Sequence, residues 1–504
     1  MSKSKVNSEA GTEADPGVDA GVGAGVGVGV AAGSEVGAAE WSGRDLHLEL
    51  AGTGSRRAGL IRAIREAIRT GRLAPDTPLP PYRSLAADLG IARNTVADAY
   101  AELVAEGWLT ARQGSGTRVA RRAAPVAAPR PRTPARRAAG PVYDLRQGQP
   151  DAASFPRAAW VASARRALTA APSEAFGPGD PRGRPELRVA LTEYLARVRG
   201  VRTHPDRIVV CSGYAHALRL LFGGGVLRGP AAVESYGLAF HRSILATASI
   251  RTLPLAVDEH GADPGESTAL SGARVALLTP AHQFPTGVPL APERRVTALD
   301  WARARGGIVV EDDYDGEFRY DRRPVGAVQG MDPDRVVYID SVSKSLSPAI
   351  RLGWMVLPDH LVEDVLTAKG LREAWAGVTD QLTLADFIEG GHYDRHIRRM
   401  RQRYRARRDH LVTALAEHVP EATATGIAAG LHAVLRLPAG TEAKSVEAAK
   451  REGLALDALS TFRHPDAAGA AEDGLVVGYA TPPDHAYPAA LAALCRALRA
   501  ALDG

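Results

Sequence analysis

The sequence predicts two unlike folded parts joined by a linker. Residues 44–120 form an N-terminal α+β module, and residues 142–504 form a C-terminal α/β domain with a mainly parallel sheet. Three observations lead there. In the first block apolar residues recur at helical spacing, and the block closes on a short glycine-rich stretch. From residue 142 onward, short apolar runs alternate with helical patterns, the mark of an α/β architecture. Between the two, residues 121–141 read RRAAPVAAPRPRTPARRAAGP, with six arginines, five prolines and no acid. Such a segment is expected to be an extended, semi-rigid basic linker, open to solvation or to contact with DNA phosphates or the protein's own surface. A length of 504 residues suits two or three domains, and 45% hydrophobic residues support a sizeable core.

Residues 1–43 are rich in Gly, Ala and Val and carry the early acids Glu9, Glu13 and Asp15. The run from Gly21 to Ala32 has the length of a signal-peptide core. Its alternating glycines and the upstream acids argue against that, and a disordered tail is expected. No apolar run approaches the ~18 residues that span a membrane. Cys211 and Cys495 are the only cysteines, too few for a disulfide framework, which suits a reducing cytoplasm. The net charge of +5 is modest, so where the basic residues fall matters more than their sum. No metal-ligand set is predicted.

In the first block, Leu60, Ile61, Ile64 and Ile68 give a helix with one buried face. Gly71 ends it, and Leu79-Pro-Pro81 opens the next element. Ser84 to Gly90 reads as a short helix closed by glycine, Ile91-Ala92 as a turn, and Arg93 to Leu103 as a second amphipathic helix. That is a helix-turn-helix. Arg93, Asn94 and Thr95 open the second helix, where a recognition helix meets base edges and phosphates. Trp108 to Thr110 and Thr117 to Val119 flank Gln113-Gly-Ser-Gly116 as a hairpin wing. The block as a whole is a winged helix-turn-helix. Gly71-Arg-Leu, Arg83-Ser-Leu-Ala, Leu89-Gly, Arg93-Asn-Thr-Val, Glu106-Gly and Gly114-Ser-Gly-Thr117 resemble the winged helix of GntR-type bacterial repressors. The resemblance implies DNA contacts at Arg83, Arg93, Asn94, Thr95 and the wing residues Gly114, Ser115, Gly116 and Thr117. Pro81-Tyr82 stand where the family has two small residues.

In the second block four motifs each follow an apolar run. Ile208 to Val210 leads to Cys211-Ser-Gly-Tyr214, a glycine turn opening a helix and a ready phosphate seat. Val275 to Leu278 leads to Thr279-Pro-Ala-His-Gln-Phe-Pro-Thr-Gly287. Ile308 to Val310 leads to Glu311-Asp-Asp-Tyr-Asp-Gly-Glu-Phe318. Val336 to Ile339 leads to Ser341-Val-Ser-Lys-Ser345, with Arg351 seven residues past the lysine. Strand carboxyl ends are where α/β sheets bind ligands. A lysine held there can lose its proton and form a Schiff base with an aldehyde, and nearby hydroxyls with an arginine suit a phosphate. Pyridoxal phosphate needs such a lysine, phosphate anchors, and an anion opposite its ring nitrogen, for which Asp312 is the candidate. Tyr314 is the candidate donor to the ring hydroxyl.

This block resembles class I aminotransferases of pyridoxal-phosphate fold type I, and with the winged helix the chain resembles the MocR group, in which the two are fused. The resemblance makes Lys344 the Schiff-base lysine, Asp312 the ring-nitrogen partner and Tyr314 the ring-hydroxyl partner. It makes Arg351 and Ser341 or Ser343 phosphate ligands, with backbone from Gly213 and Tyr214. The stacking aromatic is then Tyr236 or is missing, because Glu234-Ser-Tyr-Gly-Leu238 departs from the family pattern. The arginine that aminotransferases set before the last strand for the substrate carboxylate has no counterpart in Asp473 to Gly478; Arg463 is the nearest substitute. Weak or absent transamination follows from that loss.

The expected function is a pyridoxal-phosphate-dependent transcriptional regulator. It would be a homodimer that binds double-stranded promoter DNA and senses pyridoxal phosphate, an amine or an amino acid, in control of cofactor biosynthesis or amine and amino-acid catabolism. The alternatives are an active aminotransferase with an accessory DNA-binding domain and, third, a DNA-binding protein whose second domain takes no cofactor.

Overall fold

The computed structural model describes residues 55–112, 116–121, 142–265, 268–320, 325–370 and 376–503. The expected tail and, apart from Arg121, the expected linker lie outside them. Contacts divide the chain into two compact units, residues 1–136 and 137–504.

In the first unit α1 spans Arg56–Arg69, α2 Tyr82–Leu89 and α3 Arg93–Ala105. Helix α3 buries Val96, Ala99, Tyr100 and Leu103, the stripe that a 3.6-residue period sets on one side. They meet Leu60, Ile64 and Ile68 of α1 in one core. Each fully buried Leu or Ile contributes roughly 1.5–3 kcal/mol by leaving water. Helix α2 begins two residues before the expected Ser84, directly after Pro81, and its first residue Tyr82 packs edge-on against Tyr100. Strands β1 (Leu109–Arg112) and β2 (Gly116–Val119) pair antiparallel, with Leu109 opposite Val119. A bridge from Pro78 to Arg118 ties the wing to the segment before α2.

The second unit is built on a seven-stranded sheet. From edge to edge its strands are Ile208–Cys211, Gly353–Val356, Val336–Ser341, Ile308–Asp312, Val275–Leu278, Ala231–Glu234 and Thr252–Leu255. All run the same way except Gly353–Val356, which is antiparallel to both neighbours. The strands inside the sheet are buried along their length because both faces are covered, as parallel sheets require, while the edge strand Thr252–Leu255 is half-buried. Val209 and Cys211 face one cluster while Ile208 and Val210 face another. A four-stranded antiparallel sheet carries Thr423–Thr425, His432–Arg436, Gly474–Gly478 and Asp457–Ala458. The long helix His392–His418 buries Tyr393, Ile397, Met400 and Tyr404 in the larger core.

This topology positions the site. Parallel strands bring their carboxyl ends to one edge, so the segments after Cys211, Glu234, Leu278, Asp312 and Ser341 converge there. The single antiparallel strand adds its beginning, because Gly353 stands opposite both Cys211 and Ser341.

Candidate functional site

A cavity of about 290 Å³ opens at that edge. Lys344, Asp312, Tyr314, Arg351, Ser341, Ser343, Gly213, Tyr214 and Tyr236 all line it. Residues that sequence reasoning passed over line it too: Glu234, Thr279, His241, Arg242, Phe284 and Gln147.

The lysine segment owes its geometry to its serines. Ser341 ends its strand with extended backbone and caps the short helix Val342–Ser345, its hydroxyl accepting from the Ser343 amide at 3.4 Å. One turn on, Lys344 reaches the cavity and its ammonium donates to the Gly148 carbonyl. Ser345 points the other way, into the core, and accepts from the Tyr393 hydroxyl at 2.7 Å. Burial lowers the Lys344 pKa, with Asp315 and Asp312 opposing the shift. A lysine so placed gives up its proton more readily and becomes a nucleophile.

The acidic run sorts itself by partners. Glu311 accepts from the amides of Val328 and Gln329 at 3.0 and 2.9 Å. Asp313 holds a bidentate pair with buried Arg199 at 2.6 and 2.8 Å and accepts from the Tyr338 hydroxyl. Asp315 lies 2.9 Å from the His282 ring, which the Tyr314 hydroxyl also meets at 3.0 Å. The Asp312 carboxyl alone in this row has no hydrogen-bond partner among the described residues, although the residue is buried. Burial pushes its pKa well up, and the neighbouring Asp313 adds to that. A buried, unpartnered carboxyl facing a cavity suits a cationic N–H on a ligand.

Three segments meet at the glycine turn. Gly213 adopts φ 105° and ψ 179°, a region a side chain would strain, and opens the helix Tyr214–Leu218. Gly353 lets its strand close on that turn, since a Cβ there would lie 2.7 Å from Gly213 Cα and 2.9 Å from the Asp340 carbonyl. Arg351, exposed and two residues before, has a left-handed φ of 57°, uncommon for a residue with a side chain. The amides at the start of the helix, the hydroxyls of Ser341 and Ser343 and the Arg351 guanidinium are the donor set a phosphate takes. His216 bends back so that its Nδ1 accepts from the Ser212 amide at 3.0 Å.

Tyr214 leans on His241 with ring centroids 4.7 Å apart. Burial, helped by Lys344 and Arg242, drops the His241 pKa to about 4, so its ring is neutral. Tyr236 pairs its backbone with Arg463 and packs beside Phe284, Leu459 and Phe462. Glu234 accepts from the Thr279 amide, the Thr279 hydroxyl and the Gln283 amide group. Burial nevertheless raises its pKa to about 7. The sequence signal for these residues was the run after Glu234, which the structure turns into the helix Ala239–Thr247 beside the cavity.

In the first unit Arg83, Arg93, Asn94 and Gly116 are exposed and Thr95 is half-buried. Ala92 caps α3 without a side-chain acceptor, so no capping side chain competes with a phosphate for the first-turn amides. Thr117 is turned inward by its strand to 8% exposure, and its carbonyl accepts from the Leu79 amide at 2.8 Å. The expected wing contacts Gly114 and Ser115 lie outside the described residues.

A winged helix-turn-helix on one unit and a fold type I small-molecule cavity on the other define a class: DNA-binding regulators with an aminotransferase-type domain. The model of the bacterial regulatory proteins of the gntR family matches residues 57–119, and that of aminotransferase class I and II matches residues 141–468. The probable rhizopine catabolism regulatory protein MocR of Rhizobium meliloti is 33% identical over 84% of this chain and 89% of its own. The pyridoxine biosynthesis transcriptional regulator PdxR of Corynebacterium glutamicum is 31% identical over 83% of this chain and 91% of its own. Among solved structures, the kynurenine aminotransferase of Pyrococcus horikoshii shares the fold of the second unit with a TM-score of 0.65. It is 24% identical over 73% of this chain and 93% of its own. The chain belongs to the MocR-type transcriptional regulators, in which a GntR-type DNA-binding domain is joined to an aminotransferase class I domain. No helix among the described residues is long and apolar enough to cross a membrane.

Proposed function

We propose that this regulator binds pyridoxal phosphate in the 290 Å³ cavity and couples the occupancy of that cavity to promoter binding. The observation that carries the reading is Asp312, the unpartnered buried carboxyl in the same cavity as a lysine whose pKa burial lowers. When bound, the cofactor would supply an aldehyde that exchanges between amines and a ring that accepts electrons. Lys344 would take the aldehyde, Asp312 the ring N–H, and Tyr314 the ring hydroxyl. Ser341, Ser343, Arg351 and the backbone of Gly213 and Tyr214 would hold the phosphate, with Tyr236 beside the ring. Arg83, Arg93, Asn94 and Thr95, with the wing, would meet DNA in the cytoplasm. Two copies would form a two-fold dimer reading paired half-sites. An effector amine would bias DNA binding only through different affinities for two arrangements of the protein.

The intact set of Lys344, Asp312 and Tyr314 also favours a second reading, an active aminotransferase with an accessory DNA-binding unit. Steady turnover of an amino acid with a keto acid would select it. The deciding experiment is binding to the protein's own upstream DNA, with and without pyridoxal phosphate, at stated salt. The wild type is expected to bind the cofactor with visible absorbance and to change its DNA affinity. The Lys344→Ala variant is expected to lose the absorbance and the response. Unchanged absorbance in the variant refutes the role of the lysine.

A further inference from the structure

An amino-acid effector needs a cation for its carboxylate, and neither expected position offers one. Gly474–Gly478 is a buried strand of the small sheet and carries no arginine. Arg463 donates to the carbonyls of Ala467, Ala468 and Gly469 at 2.8, 3.0 and 2.6 Å, which ties down its own loop. It does not line the cavity.

Arg242 does. It stands in the first turn of the helix Ala239–Thr247, directly after His241. Its guanidinium donates to the carbonyls of Gly237 at 2.8 Å, Phe462 at 3.2 Å and Arg463 at 3.2 Å. These acceptors orient the group and leave its charge whole. Among the described residues it has no acidic partner and its Nε–H meets no acceptor. Burial lowers its pKa, the sign of a cation short of compensation. Among the described residues, three basic side chains other than histidine line the cavity: Lys344, Arg351 and Arg242. On the cofactor reading the first takes the aldehyde and the second the phosphate. The third is left for another anion.

We propose that Arg242 binds the carboxylate of the effector, and that the effector is a small primary amine bearing a carboxylate. The amine would meet the carbon held at Lys344 while the acid end docks on Arg242, so one ligand is gripped at both ends. The ligand class rests on the cofactor reading; the anion site does not.

The test uses the full chain loaded with pyridoxal phosphate, titrated with alanine, β-alanine and the neutral amides of both. Wild type, Arg242→Gln and Arg242→Lys are compared, each scaled to its own visible absorbance. The acids are expected to perturb the wild-type spectrum at lower concentration than the amides. Arg242→Gln is expected to weaken the acids by about tenfold to a hundredfold, the worth of a charge-assisted hydrogen bond, and to leave the amides within about twofold. Arg242→Lys should restore part of the preference, since it keeps the charge without the fork. Equal weakening of acids and amides, or a preference that survives Arg242→Gln, overturns the proposal. Propionate, which has no amine, is titrated calorimetrically in parallel. Binding that Arg242→Gln removes supports the anion site, and binding that ignores the substitution overturns it. Absence of visible absorbance in the wild type instead defeats the cofactor reading, and the propionate arm still decides Arg242.

Discussion

Asp312 is held against its own preference for solvent. A buried carboxyl with no donor destabilises the folded chain, and its neighbours Glu311, Asp313 and Asp315 show what satisfaction looks like at the same depth. The Asp312→Asn variant should therefore act in opposite directions. It should raise the melting temperature of the cofactor-free protein, because a buried ionisable group is removed. It should weaken pyridoxal phosphate by about tenfold to a hundredfold, because the ring N–H loses a charged partner. A variant that binds the cofactor as the wild type does refutes the pairing. Glu234 makes a pH-dependent case. Its folded pKa of about 7 exceeds the ordinary 4.5, so the folded state holds the proton more tightly. Its contribution is complete below that ordinary value and is lost as pH rises through about 7. Wild-type melting temperature should fall across this window, and Glu234→Gln should fall less. Glu311, also raised to about 7 by burial and by Asp313, keeps part of the slope. Identical slopes in thermal melts would remove Glu234 from the account.

At the scale of elements, the cavity depends on how closely the strand Gly353–Val356 approaches the turn at Gly213. A methyl group at residue 353 would meet backbone on two sides, Gly213 Cα and the Asp340 carbonyl, and neither can swing away. Gly353→Ala should lower the melting temperature and, by moving the turn, weaken pyridoxal phosphate more than it weakens DNA binding. Spectrophotometric cofactor titration beside a DNA-binding assay reads both, and equal losses would mean general unfolding. Legibility in the sequence follows residue propensity at this scale. The runs Ile208–Val210, Val275–Leu278, Ile308–Val310 and Val336–Ile339 are rich in Val and Ile and announce themselves as strands. Ala231–Glu234, Thr252–Leu255 and Gly353–Val356 do not. Ala, Pro and Gly favour strands poorly, so pairing with neighbours rather than propensity makes these segments extended. Thr117 turns inward and Arg118 outward because successive side chains of a strand alternate between its faces.

On the proposed reading, occupancy of the cavity in one unit changes DNA binding by the other. Arg93 is exposed in the first turn of α3, and a phosphate contact there adds affinity without reading sequence. Arg93→Ala should weaken DNA binding about evenly across sequences and lower the salt slope by about one. The response to pyridoxal phosphate should survive, because coupling is a property separate from the affinity being coupled. Filter or fluorescence binding at several salt concentrations measures both. Loss of the cofactor response along with affinity would place Arg93 in the coupling itself.

The sequence by itself determined the two-part plan, the helix-turn-helix and the lysine, aspartate, tyrosine, serines and arginine that line one cavity. Each of these lies in a short contiguous motif whose local pattern carries its chemistry. Tertiary structure alone decided which carboxyl of Glu311 to Asp315 lacks a partner. It also decided that Arg463 is spent on its own loop, and that Arg242 and His241 reach the cavity. Those outcomes depend on partners far off in the chain, such as Arg199 for Asp313 or the carbonyl of Phe462 for Arg242. Hydrogen bonds and burial between distant segments leave no mark in local periodicity.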